Sequence, residues 1–358
     1  EFCLINKEVI NFIKATQPEE YKKLENQYGA DTEKKFCYNL SKVISQRGTL
    51  SILRKGLTDR GAKFKLAYFR PSSGMNPDHK RLYKLNRFTV VRQLHFSTHD
   101  EKSLDLTIFI NGIPIITAEL KNSLTGQFVE NAKKQYKDDR NPNEPLFRFK
   151  RCLVHFAVGN EKVYMTTRLA KDKTKFLPFN KDTENPVNPE GHQTAYLWED
   201  ILQPDTLLDL IGSYLLLQKK SEKYYDRAKN TIIEKNFEVF IFPRFHQLDV
   251  VRKLIKAVGN DGAGSNYLVQ HSAGSGKSNS IAWLAHSLSS FYRNKEDKER
   301  LFDSIIVVTD RVILDKQLQN TIKQFEQTSG IVKQINMNSV QLKEALENGK
   351  DIIITTIH

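Results

Sequence analysis

Apolar and polar positions divide the chain into stretches of different period. Residues 1–60 read mostly as helices, and Asp31-Thr32-Glu33 ahead of 34–44 marks a helix entry with acidic side chains in the first turn. From residue 63 to 121 the period shortens to two, and 64–69, 88–96, 104–110 and 113–120 are predicted strands. A polar helix is predicted over 129–139, then strands over 152–158 and 163–167 on either side of Gly159-Asn160-Glu161. Residues 170–194, rich in Asn, Pro, Lys and Asp, read as a long surface loop. An apolar helix over 207–217 leads into a charged run, and 221–240 is expected to be a helical linker between a first domain of 1–220 and a second of 241–358. The second domain reads as strand 266–270, helix 281–288 and two buried, parallel-type strands at 304–309 and 351–358. Internal repeats and low-complexity tracts are absent.

The strands at 104–110 and 113–120 flank Asn111-Gly112, a hairpin turn signal. Leu104, Leu106, Ile108 and Ile110 form one apolar face, and Pro114, Ile116, Ala118 and Leu120 form the matching one. Burying both together pairs Leu106 with Ala118 and Ile108 with Ile116. Asp105 then lies directly across from Glu119 on the other face, and Lys121 points the same way. A strict two-residue loop breaks this match, so a three-residue turn or a bulge is expected, with Gly112 at positive φ.

Two carboxylates held opposite each other repel unless a cation sits between them. Mg²⁺ suits one or two carboxylates with water and a phosphate oxygen, and the Leu120 carbonyl is a further candidate ligand. Lys121 can orient or activate a water and stabilise charge developing on a phosphate. These residue types point to metal-dependent phosphodiester hydrolysis; the plain alternative is the solvated face of a half-buried hairpin.

Residues 271–278 read His-Ser-Ala-Gly-Ser-Gly-Lys-Ser between the predicted strand and helix. Gly274, Ser275 and Gly276 can bring backbone N–H groups to a polyphosphate such as that of ATP; Lys277 can reach its terminal phosphates, and the Ser278 hydroxyl can ligate Mg²⁺. His271 stands where the first glycine of the GxxxxGK[ST] spacing falls. Composition adds a direction: 55 Lys and Arg against 42 Asp and Glu give a net charge of +13, which favours a polyanionic partner. Three widely separated cysteines form neither a zinc nor a disulfide pattern, in keeping with a reducing, cytoplasmic setting. No apolar run approaches the ~20 residues of a membrane span. The first residues lack a secretory signal and do not begin with Met, so the natural start is expected to be missing.

Asp105 and Glu119-Leu120-Lys121 on one hairpin resemble the PD-(D/E)xK nuclease motif, with Leu104 in place of its proline. In that class an early helix often supplies another acid, for which Glu33 is the candidate. Some relatives carry Gln and Tyr four apart on the following helix. Tyr136 is well placed, but Ala132 then occupies the Gln position; taking Gln135 as the Gln puts Asp139 where the Tyr belongs. Residues 242–247 resemble the Q motif of superfamily 2 helicases, making Gln247 the glutamine that reads adenine. Residues 309–318 resemble helicase motif Ia, which implies that Thr309 and Arg311 lie against a DNA strand; an apolar strand ending in Asp310 also reads as a Walker B acid. The strand at 351–358 resembles the Thr-Thr strand end that faces DNA in these motors.

A nuclease hairpin upstream of such an ATPase resembles the endonuclease/translocase (R) subunit of type I restriction enzymes, most closely at 103–122, 144–150, 154–158, 242–247 and 271–278. The resemblance implies an α/β chain: a restriction-endonuclease-like mixed-sheet core followed by part of a RecA-like parallel sheet. It implies Mg²⁺ and ATP as cofactors, and as partners double-stranded DNA and the methyltransferase and specificity subunits, with no membrane. His79, Lys80, Arg81, Tyr83, Lys84, Arg87 and Arg92 are candidate DNA-backbone contacts or a solvated strand face. No Asp-Glu-x-His follows residue 278, so ATP binding without turnover is expected. A helicase-nuclease of another defence system, a plain ATPase with structural hairpin acids, and a non-catalytic DNA-binding or docking fragment are the alternatives.

Overall fold

The computed structural model describes residues 2–71, 76–97, 99–226, 230–293, 299–310, 312–325, 330–335 and 339–357. The chain divides into two compact units, one of residues 1–70 and 78–244 and the other of 71–77 and 245–358.

The first unit begins with helices α1 (Asn6–Thr16), α2 (Pro18–Tyr28), α3 (Thr32–Arg47) and α4 (Thr49–Lys55). Each turns an apolar stripe inward; on α3 it is Phe36, Cys37, Leu40 and Ile44, the i, i+4 spacing of one helix face. A small antiparallel pair follows, β1 (Leu57–Asp59) and β2 (Ala62–Phe64), so the strand predicted over 64–69 pairs only at its first residue. After α5 (Pro77–Lys84) comes a six-stranded sheet in the order β3-β4-β5-β6-β7-β8: β3 (Phe88–His95), β4 (Ser103–Ile110), β5 (Ile113–Leu120), β6 (Val154–Val158), β7 (Val163–Thr166) and β8 (Leu177–Pro178). The sheet is mixed, because β5 and β6 run parallel while the other neighbours run antiparallel. A parallel pair needs a crossover, and α6 (Val129–Asp138) lies in the connection between β5 and β6. All five residues of β6 and all of β5 except Leu120 are buried, as expected of central strands covered on both faces.

The β4–β5 hairpin pairs Leu106 with Ala118 and Ile108 with Ile116, as the apolar faces require. Its turn is a two-residue loop, with Asn111 at φ 48° and Gly112 at φ 79°, the left-handed pair that a tight hairpin favours. The register is recovered by a bulge: Phe109 pairs with Pro114 and Ile108 with Ile116, leaving Ile115 unmatched. Asn111 is fully buried and anchors the turn, accepting from the Arg87 amide and donating to the Leu66 carbonyl at 2.7 and 2.9 Å. The Gly112 carbonyl accepts from the Ile5 amide at 2.9 Å, which ties the turn to the start of α1.

The predicted helix at 207–217 is shorter than expected. Helix α7 (Pro204–Asp209) passes into a wide turn, Leu210–Tyr214, closed by Leu215 N–H donating to the Leu210 carbonyl. The expected helical linker at 221–240 is instead a two-stranded antiparallel ribbon of β9 (Leu216–Asp226) and β10 (Thr231–Ile241), and it belongs to the first unit. The charges of 219–227 suggested a linker, but Tyr224, Tyr225, Ile232, Ile233, Phe237, Val239 and Phe240 are strand formers and pair across the ribbon.

The second unit alternates helix and strand: α8 (Phe245–Asp261), α9 (Lys277–Ser289), β11 (Ile305–Thr309), α10 (Val312–Gln324), β12 (Val332–Gln334), α11 (Ser339–Glu347) and β13 (Ile352–Thr356). The three strands among its described residues run parallel in the order β11-β13-β12. The strand predicted over 266–270 joins no sheet, and Leu268 is 94% exposed. Apolar content alone does not make a strand without a neighbour to complete its ladder. Among the described residues, no helix is long and apolar enough to cross a membrane.

Candidate functional site

Among the described residues of the first unit, Glu119 is the most deeply buried acid. It is fully buried at the end of β5, where Arg140 Nε donates to its Oε1 at 2.7 Å and Arg140 Nη2 stands 2.6 Å from the same oxygen. Its other oxygen, Oε2, is buried without a hydrogen-bond partner. Burial pushes the carboxyl up to about 7; Arg140 pulls against that shift and Asp105 adds to it. Continuing the hairpin register sets Asp105 across from Glu119. Asp105 is partly exposed; its Oδ2 accepts from the Leu120 amide at 2.8 Å and its Oδ1 from Gln93 Nε2 at 3.2 Å. Gln93 lies opposite Asp105 on β3, at φ 49°, and its own Oε1 accepts from Ser103 at 2.7 Å. Among the described residues, no three or more His, Cys, Asp and Glu side chains group so as to hold a metal ion.

Lys121 follows the last residue of β5, and its amide donates to the Val158 carbonyl at 2.8 Å. It lines a shallow cleft of about 200 Å³ with Leu120, Asn122, Asn160, His192 and Trp198. Tyr136 on α6 is fully buried, and its hydroxyl is 2.8 Å from Thr117 Oγ1, which in turn lies 2.7 Å from His155 Nδ1. Burial raises the phenol well above its ordinary range, with the nearby Glu119 adding to the shift. Tyr136 therefore braces the back of the hairpin. Gln135 Oε1 is buried with no partner, and Ala132 is packed in the core of α6. Glu33 lies on the outer face of α3, where it pairs with Lys14 at 2.8 Å; none of its contacts reaches Asp105 or Glu119. Of the basic stretch, Arg87 pairs with Glu8 and the Tyr83 hydroxyl donates to Asp205, while Lys80 and Arg92 are exposed.

In the second unit, Gly274 and Gly276 adopt φ 73° and 84°, and Gly276 caps the start of α9. The loop is folded on itself. Lys277 Nζ donates to the carbonyls of His271 and Ser272, each at 2.9 Å, and the buried Ser275 hydroxyl has no partner. Ser278 is exposed in the first turn of α9. Gln247 is buried, and its amide donates to the Gly276 carbonyl at 2.9 Å, so it grips the phosphate loop. His246 Nε2 lies 3.1 Å from the Ser275 carbonyl. Thr309 and Thr356 pair at the C-terminal ends of β11 and β13, the sheet edge where open parallel sheets bind ligands. Arg311 lies outside the described residues.

Residues 8–174 match the family model described as the type I restriction enzyme R protein N terminus, and residues 246–358 match that of the SWI2/SNF2 ATPase. The family that the chain resembles is that of the type I restriction enzyme R proteins. A protein of Methanocaldococcus jannaschii named for the MjaVIIIP type I restriction enzyme endonuclease subunit is 28% identical over 76% of this chain and 25% of its own length. The HindI endonuclease subunit of Haemophilus influenzae is 27% identical over 70% of this chain and 22% of its own. A type I restriction enzyme endonuclease subunit of Staphylococcus aureus is 24% identical over 72% and 25%. The matched part of this chain thus spans about a quarter of the length of these relatives. Asp105, Glu119 and Lys121 fall inside the R-protein match, and the phosphate loop falls inside the ATPase match.

Arg140, Gln93 and Ser103 carry no motif signal in the sequence that singles them out. An Asp-Asp-Arg-Asn run after a helix carries no spacing signal, and only the fold returns it to Glu119. Gln93 was legible in principle, since the register that pairs Arg92 with Leu106 sets it against Asp105.

Proposed function

We propose that this chain comprises the Mg²⁺-dependent DNA endonuclease domain and the beginning of the ATP-driven translocase of a type I restriction enzyme. The mixed sheet would be a restriction-endonuclease-like core, and the second unit the opening part of a RecA-like motor. The observation that carries the reading is Glu119 Oε2, a buried carboxylate oxygen without a partner, in register with the partly exposed Asp105. Such an atom is costly to bury unless a proton or a cation completes it, and the donor set of two carboxylates and the Leu120 carbonyl suits Mg²⁺ as that cation. When bound, that ion would polarise the scissile phosphate and lower the pKa of a water beside it. Asp105 and Glu119 would hold it, and Lys121 would orient the attacking water and offset charge on the phosphate. At the second site the amides of 274–278 would cradle the ATP phosphates, with Lys277 turning from the loop carbonyls to them and Ser278 reaching the ion. Gln247 would couple the adenine end to the loop it grips.

The partners in this reading are double-stranded DNA and the methyltransferase and specificity subunits. The test is cleavage of plasmid DNA by the assembled enzyme with Mg²⁺ and ATP. Glu119→Ala and Lys121→Ala are expected to lose at least about a hundred-fold in cutting rate while assembly persists. Cutting at the normal rate by both variants would refute the assignment.

A further inference from the structure

We infer that Arg140 is the positioning residue of the carboxylate pair: its guanidinium holds Glu119 by Oε1 alone, so that Oε2 is presented toward Asp105 for a divalent cation. The inference rests on the nuclease reading above.

Two features separate this arrangement from an ordinary buried ion pair. First, Arg and carboxylate in free geometry favour a fork on a fork, with one N–H to each oxygen. Here Nε and Nη2 both converge on Oε1, at 2.7 and 2.6 Å, and Oε2 receives nothing. A pair selected only for stability would give Oε2 a donor of its own. Second, the guanidinium is fixed from behind without help from Glu119. Nη2 also donates to the Ser103 carbonyl at 2.8 Å, and the group lies over the Phe96 ring, 5.2 Å from its centroid. Ser103 opens β4, two residues before Asp105, so one mount references both acids to the same strand. The side chain is 2% exposed, which screens the pair little from one another. Arg140 touches neither substrate nor reacting atoms in this scheme; it sets where Glu119 points.

The test is Mn²⁺ binding to the full chain, read from the electron spin resonance of the free ion and without reference to cleavage. Wild type, Glu119→Ala, Arg140→Met and Arg140→Lys are compared, with the melting temperature of each recorded. The expected result is loss of binding in Glu119→Ala, at least tenfold weaker binding in Arg140→Met, and partial recovery in Arg140→Lys, whose ammonium keeps the charge without the fork. If Arg140→Met does not fold, Arg140→Lys decides: weaker binding at an unchanged melting temperature supports the positioning role, and wild-type affinity overturns it. If Glu119→Ala loses the ion while Arg140→Met binds as tightly as wild type or more tightly, Arg140 is a competing cation; the positioning role then falls and the nuclease reading stands. If Glu119→Ala binds as wild type does, the nuclease reading itself fails.

Discussion

Acid should open the first unit through one imidazole. His155 is 2% exposed on the central strand β6, with its Nδ1 on Thr117 and the Tyr136 and Phe147 rings beside it. Burial drives its pKa down to about 3 from the ordinary 6.5. The folded state therefore keeps the ring neutral, while the unfolded chain takes up a proton below pH 6.5. Its contribution is fully present above 6.5 and is lost as pH falls toward 3. At pH 5 the difference is about 2 kcal/mol, and by pH 3 about 4 kcal/mol, at 1.36 kcal/mol per unit. Urea unfolding in a Trp283→Phe background, where Trp198 reports on the first unit, measures this at pH 7.5 and pH 5. Wild type should lose about 2 kcal/mol more than His155→Gln over that interval. Equal losses would mean that the imidazole does not titrate as its burial demands.

Two further outcomes follow from the same contacts. Alanine at Gly112 would place a Cβ 2.6 Å from the Ile5 carbonyl and 2.8 Å from Val9 at φ +79°, so Gly112→Ala should destabilise by about 2–4 kcal/mol. A thermal melt coincident with wild type would contradict the docking of the turn on α1. Lys277→Ala should weaken binding of a fluorescent ATP analogue by at least about tenfold, as loss of a charge-assisted contact to the phosphates requires. Unchanged affinity would remove the phosphate-loop reading.

The hairpin was legible because its information is local. Alternation sets the faces, and burying both fixes Leu106 on Ala118. The same logic demanded an irregularity, and the bulge at Ile115 supplies it while the Asn-Gly turn stays tight. What failed was information that depends on neighbours. Residues 266–270 have a strand's composition without a strand beside them, and 219–227 have a linker's charges with Tyr224 and Tyr225 paired across a ribbon. Glu33 sits on an early helix as an accessory acid should, but that helix turns it toward Lys14 and solvent. Arg140 comes to Glu119 from 21 residues away, a closure that no periodicity encodes.

The bulge at Ile115 also limits how this hairpin can change length. Strand residues alternate sides, so removing one residue between Asp105 and Glu119, or adding one, turns the two acids to opposite faces of the sheet. Insertions and deletions within the paired strands are tolerable only in pairs, or when the turn or a further bulge absorbs the odd residue. A scan of one- and two-residue insertions within 106–108 and 116–118 should therefore alternate between dead and active, a sawtooth that reports on the fold with no structure at hand.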